Sequence, residues 1–137
     1  MGERGKVFAV DIDSGAVEAV RETAEREHLK NIEAILSGPA DTKLQPESID
    51  ACLVCDVVHE VPADGRLPLV RDIARALKPG GFLFLIDYRR AREVPFDPYD
   101  RLVPREDLVK LGTDAGLSLD AEFHYLKYQV FLRFRKP

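Results

Sequence analysis

Apolar positions along the chain alternate between short β-rich runs and stretches with helical spacing. Val7-Phe8-Ala9-Val10 forms the first run, in a strand predicted over residues 6–11 that closes on an acid. Asp13 or Ser14 can then cap a helix whose apolar positions Val17, Val20, Ala24 and Leu29 recur near the 3.6 period, with Asn31 as its stop. Ile32–Leu36 reads as a second strand before a Gly38-Pro39 turn. Residues 50–58 are a third, almost unbroken apolar run, the pattern of a strand covered on both faces. A helix predicted over 67–78 would bury Val70, Ile73, Ala74 and Leu77. Pro68 falls in its first turn, and Pro79-Gly80-Gly81 ends it.

A fourth strand, 82–87, again closes on an acid. Residues 91–104 contain three prolines and little periodicity, and read as a loop or lid. A short helix follows over 107–115, weakened by Gly112 and stopped by Gly116. Residues 117–125 and 128–135 are two strands joined by Leu126-Lys127, a connection too short for anything but antiparallel pairing. Strand–helix alternation closed by such a hairpin predicts one α/β domain over residues 1–137, doubly wound on a mostly parallel sheet.

Composition narrows the function classes. Hydrophobic residues make up 45% and charged residues 32%, an ordinary balance for a globular domain. The formal net charge of −4 gives no basic surface of the kind nucleic acids require. The arginines at 89, 90 and 92, and the group Arg133, Arg135 and Lys136, read as solvated edges. No apolar run is long enough to span a bilayer and no signal-peptide core follows Met1, so a cytoplasmic location is expected. Cys52 and Cys55 have C-x-x-C spacing, but within a strand residues three apart point to opposite faces. They are expected as buried thiols rather than as a redox or metal pair.

In open α/β sheets ligands bind beyond the carboxyl ends of the strands. Asp11, Asp56 and Asp87 stand at or near such ends. Asp11 is the sharpest candidate, because a carboxylate ending an early strand can accept hydrogen bonds from both hydroxyls of a ribose. Nicotinamide dehydrogenases use the same device, so Asp11 alone does not choose a cofactor.

Several runs together carry a resemblance. Val7-Phe8-Ala9-Val10-Asp11-Ile12-Asp13 resembles the second strand of class I S-adenosylmethionine-dependent methyltransferases. The segment from Ser48 through Asp56-Val57-Val58-His59-Glu60-Val61 is similar to their fourth strand and its sequel. Leu77-Lys78-Pro79-Gly80-Gly81-Phe82 resembles their turn into the fifth strand, and Tyr128-Gln129-Val130-Phe131-Leu132 the close of a small-molecule subgroup akin to the quinone-biosynthesis and type 11 enzymes. The resemblance implies a Rossmann-like fold and S-adenosylmethionine as cofactor. It assigns the ribose to Asp11 and adenine to Ile12, and sets Asp56 towards the methionine part. The family often has an acid where Gly38 stands, so contact with the adenine amino group passes to Asp41, which reads equally well as a turn residue. His59 and Glu60 fall at the rim where a small-molecule methyl acceptor would approach. His59 is the candidate catalytic base, being a side chain that titrates near neutrality. It reads as readily as a histidine satisfied by neighbours at a strand–loop junction.

The family opens with a strand, a glycine-rich loop and a helix, and only five residues precede the first strand here. The absent strand would lie between the strands ending at Asp11 and near Asp56. The native protein is therefore expected to be longer. Direct closure of the edges, a strand donated by a homodimer partner or another chain, and poor folding in isolation are the other outcomes. With the N-terminal portion supplied, the expected function is methyl transfer. Without it, the alternative is a non-catalytic subunit that binds through exposed sheet edges.

Overall fold

The computed structural model describes residues 2, 4–92 and 99–137. They form two compact units, Met1–Lys43 and Leu44–Pro137.

In the first unit, β1 (Val7–Asp11) and β2 (Ile32–Leu36) pair in parallel, with Val7 opposite Ile32 and Asp11 opposite Leu36. The intervening helix α1 (Ser14–Arg26) buries Val17. Asp13 is its cap, accepting a 2.7 Å hydrogen bond from the amide of Ala16. The helix stops before the predicted Asn31. His28 adopts φ 56° and lets Leu29 N–H return to the carbonyl of Ala24 at 2.8 Å, a Schellman closure built on histidine rather than glycine. Asn31 instead donates its side-chain amide to the carbonyl of Gly5 at 3.0 Å.

The second unit runs β3 (Ile49–Cys55), α2 (Ala63–Ala76), β4 (Leu77–Tyr88), a 3-10 turn (Tyr99–Arg101), α3 (Arg105–Asp114), β5 (Ser118–Phe123) and β6 (Gln129–Arg135). Its sheet has the order β3-β4-β6-β5. β3 and β4 are parallel, and β6 is antiparallel to both β4 and β5. The terminal hairpin thus forms as expected, with a connection of five residues, 124–128, instead of two.

One face of this sheet carries Val54, Leu83, Leu85, Leu132 and Phe134, all buried. The register sets them side by side: Val54 opposite Leu85, Leu85 opposite Leu132, Leu83 opposite Phe134. The helices α2 and α3, which also touch each other, pack on the sheet. They contribute the buried Val70, Ile73, Ala74, Ala76 and Leu108.

Three expectations need correction. The apolar run 50–58 predicts a strand covered on both faces. β3 instead ends at Cys55, because Asp56 turns into the left-handed region at φ 54°, and its other face (Ala51, Leu53 and Cys55) is exposed. The helix expected at 67–78 begins four residues earlier, so Pro68 lies in its second turn, where it removes one intrahelical hydrogen bond. The segment expected to end that helix sharply, Pro79-Gly80-Gly81, belongs to β4. There the register shifts between Ile49 and Ala51, and a Cβ on Gly81 would come within 2.9 Å of the carbonyl oxygens of Asp50 and Lys78.

Among the described residues β1 pairs with β2 alone and β3 with β4 alone, so each keeps one edge without a ladder partner.

Candidate functional site

The second unit brings Asp87 and Tyr88, at the end of β4, together with His59. In β4 the buried row Leu83, Leu85 continues with Asp87, a carboxylate with no exposed surface where the pattern calls for an apolar side chain. Its charge is met by three donors. Oδ1 accepts the amide of Tyr88 at 2.8 Å and lies 2.6 Å from His59 Nδ1, while Oδ2 accepts the amide of His59 at 3.1 Å. His59 sits in the turn that follows β3, where Glu60 N–H and Val61 N–H return to the carbonyl of Val57. Its ring is buried and meets the Tyr88 ring edge-on, with centroids 5.5 Å apart. The other ring nitrogen, Nε2, lies 3.3 Å from Oε1 of the exposed Glu60, whose second oxygen pairs with Arg101. A chain of polar contacts therefore runs from Asp87 through His59 and Glu60 to Arg101.

Asp56 stands at the end of β3, opposite the terminal part of β4. Its amide continues the ladder to the carbonyl of Ile86 at 2.9 Å. Oδ2 accepts from Gln129 at 3.5 Å and faces Cys55 Sγ at 3.7 Å, whereas Oδ1 is buried with no hydrogen-bond partner among the described residues. An orphaned buried carboxylate oxygen on left-handed backbone is destabilising, and such a site calls for an explanation.

In the first unit, Asp11 ends β1 exposed. One of its oxygens accepts the amide of Asp13 at 2.9 Å, and the other accepts nothing among the described residues. Ile12 follows it with 65% of its surface exposed, a large apolar side chain presented next to an available carboxylate. Asp41 closes a small bridge with Gly38 and is held within its own turn, accepting the Lys43 amide at 3.1 Å and pairing with the Lys43 ammonium. Its turn role is thus in place. Tyr88, the last residue of β4, packs on His59, and Tyr99 carries the guanidinium groups of Arg90 and Arg92 at 4.8 and 5.9 Å from its ring centre. Phe96 lies outside the described residues.

Cys52 and Cys55 lie on opposite faces of β3, and among the described residues no cluster could hold a metal ion. The sequence suggests burial of both thiols. Only Cys52 is largely enclosed, because Cys55 lies on the open face. Burial pushes the Cys52 thiol up to about 11. Partial desolvation, then the neighbouring Asp56 carboxylate, raises that of Cys55. Alkylation followed by mass spectrometry is therefore expected to be slow at neutral pH, to accelerate as pH passes the ordinary thiol range, and to reach Cys55 first. Earlier modification of Cys52 in the folded chain would contradict this burial.

A groove of about 540 Å³ in the first unit is lined by Val20, Ala24, His28, Leu29 and Ile32. It lies along α1 and the start of β2, at the wrong end of the strands for the site.

Comparison with known proteins decides the family. The methyltransferase domain family of type 11 matches residues 1–85, more than half of the chain. The chain belongs to that family. No curated protein matches this methyltransferase domain in sequence. Solved structures do match in fold. One is an S-adenosylmethionine-dependent methyltransferase from Aquifex aeolicus, 23% identical, with a TM-score of 0.89 over 99% of this chain and 71% of that one. An S-adenosylmethionine-dependent methyltransferase from Methanosarcina mazei is 17% identical, with a TM-score of 0.80 over 96% of this chain and 82% of that one. The [4+2]-cyclase SpnF has a TM-score of 0.81 at 15% identity, over 97% of this chain and 66% of its own. The Rossmann-like architecture, with its antiparallel terminal hairpin, is thus shared. At these identities the likeness concerns the fold, and the cyclase illustrates that the fold hosts more than one chemistry.

Two members of the site carry little or no signal in the sequence: Asp87 as a partner of His59, and Arg101 as the end of the chain of polar contacts. Asp87 stands out only as an acid that ends a strand. Its contact with His59 spans 28 residues, and no local pattern marks such a pairing.

Proposed function

We propose that this methyltransferase domain binds S-adenosylmethionine and transfers its methyl group to a small-molecule acceptor. The observation that carries the reading is the orphaned Oδ1 of Asp56. A buried carboxylate oxygen without a partner suits the ammonium of the cofactor's methionine part. Asp11 supports it with an available oxygen for the ribose hydroxyls, and the exposed Ile12 offers an apolar surface to adenine. When bound, the cofactor supplies a sulfonium methyl group for in-line displacement. The chain's own task is then alignment and proton handling. His59 takes a proton at Nε2 when the acceptor is a hydroxyl or an amine that must lose one.

Calorimetric titration of S-adenosylhomocysteine into the 137-residue chain tests this reading. Micromolar binding is expected. Asp11→Ala should weaken it at least about tenfold, through the loss of charge-assisted hydrogen bonds to the ribose. Asp56→Asn should weaken it comparably without lowering the stability of the free chain, since Oδ1 makes no hydrogen bond to lose and asparagine tolerates left-handed backbone. Absence of binding by a folded, monodisperse sample would sink the enzyme reading for this chain. A second reading is favoured by the open edge of β3, where Leu53 is 65% exposed. There the domain acts as a non-catalytic subunit that pairs with a strand from its own copy or another chain. Concentration-dependent association without cofactor affinity is its signature.

A further inference from the structure

We infer that Asp87 is a positioning residue for His59. It holds the imidazole in the form that keeps a proton on Nδ1, so that Nε2 is the nitrogen that exchanges protons at the site. The use of that nitrogen rests on the proposed role of His59 as base; the assignment of the proton rests on geometry alone.

An ionised carboxylate can only accept hydrogen bonds, so the ring nitrogen 2.6 Å from Asp87 Oδ1 must be the donor. The carboxylate cannot easily turn away. Its two oxygens are pinned by backbone amides from two different segments, Tyr88 in β4 and His59 in the turn after β3. The second of those amides belongs to the histidine itself, so one side chain fixes both the turn and the ring that the turn presents. The Tyr88 ring, edge-on to the imidazole, limits rotation about the remaining bond.

The two nitrogens then differ in their surroundings. Nδ1 faces a carboxylate with no exposed surface. Nε2 faces Glu60, whose side chain is 55% exposed and shared with Arg101. A proton on Nδ1 is enclosed, and one on Nε2 is in contact with solvent through Glu60.

The proton inventory of the transfer follows. With cofactor and acceptor bound, the acceptor would bond to the methyl carbon while the sulfur kept the electron pair of the broken sulfur–carbon bond. The acceptor's proton passes to Nε2. The imidazolium then donates at both nitrogens, to Asp87 and to Glu60, and releases the Nε2 proton to solvent along Glu60. Asp87 stays ionised throughout, as an orienting carboxylate beside a histidine base does in serine hydrolases.

The test is the tautomer of His59 by two-bond proton–nitrogen correlation of the imidazole ring in the nitrogen-15-labelled chain. The chain has three histidines, and His59→Gln identifies the signals of interest. At a pH well above the ordinary imidazole range, the parent chain is expected to show Nδ1 protonated in roughly tenfold excess or more. This is the reverse of the Nε2-protonated form that dominates in free histidine. A majority of the Nε2-protonated form would overturn the inference. Asp87→Asn is expected to lose most of that excess, because an amide has one accepting oxygen for the three donors that Asp87 serves. An unchanged tautomer in a folded Asp87→Asn chain would overturn it too, and if that variant does not fold the parent spectrum decides. The measurement needs neither cofactor nor acceptor. A failed titration of S-adenosylhomocysteine therefore sinks the proposed function and leaves this inference standing, while a wrong tautomer does the opposite.

Discussion

Gly112→Ala is expected to lower the unfolding free energy of the chain by about 1–2 kcal/mol, although it places a better helix former in the last turn of α3. Alanine in place of glycine in a helix interior is worth about 1 kcal/mol in the helix's favour. The packing reverses the sign. A Cβ at Gly112 would lie 2.3 to 2.6 Å from three carbons of the Phe134 ring, closer than carbon atoms can approach. Phe134 has no exposed surface and stands in the covered face of the sheet, so the ring has nowhere to go. Either α3 lifts from β6 or the ring leaves its rotamer, and overpacking of this kind costs about 1–3 kcal/mol, occasionally more. Urea denaturation followed by circular dichroism measures the net effect. A Gly112→Ala chain as stable as the parent would show that α3 is not seated on Phe134. Pairing the change with Phe134→Leu should restore part of the loss, since the two residues share one contact.

Gly112 shows where local reading stops. Propensity marks it as a weakness in a helix, and the structure makes it the point of closest approach between helix and sheet. Elements with strong local signals were legible: the cap at Asp13, the left-handed Gly116 after α3 and the antiparallel hairpin each follow from residue types at fixed offsets. Boundaries that depend on distant partners were not. β4 reaches back to Leu77 because Ile49 pairs with it across a register shift, which no property of Lys78-Pro79-Gly80-Gly81 announces. The apolar run of β3 suggested burial on both faces. Yet periodicity cannot say whether a second layer is present to cover Ala51, Leu53 and Cys55.

The candidate site divides in the same way. Asp11 was singled out by its place at the end of a strand and Ile12 by the resemblance, and both are exposed in the structure. Asp56 was legible as a strand-end acid, but its left-handed backbone and orphaned oxygen were not, since both arise where β3 leaves the ladder beside β4. Asp41 came in through the resemblance, with a turn role as its equal alternative, and its carboxylate is engaged by the amide and ammonium of Lys43 two residues on. His59 was open between two readings, a base and a histidine satisfied by neighbours. The structure makes it buried and held by Asp87, which satisfies the second reading without removing the first, because Nε2 still faces the exposed side.

Asp87→Ala is expected to cost about 3–5 kcal/mol of stability, more than any cofactor-contacting substitution in the chain. The loss has three sources. The buried amide of His59 and the part-buried amide of Tyr88 lose their acceptor, and an unsatisfied buried donor is worth about 1–3 kcal/mol. The imidazole loses the partner at Nδ1, and the turn from Val57 to Val61 loses the side chain that ties it to β4. Asp87→Asn keeps the volume and one accepting oxygen, and should lose about 1–2 kcal/mol, on the order of one unsatisfied amide. Thermal or urea unfolding of the two variants separates the explanations. A large loss in the alanine variant with a small one in the asparagine variant means that the carboxylate acts chiefly as an acceptor of backbone donors. Equal, large losses would mean that its charge is required, and that the pairing with His59 dominates. Equal, negligible losses would contradict the burial and the hydrogen bonding together. The carboxylate in the buried row of β4 would then have no structural reason to replace an apolar residue.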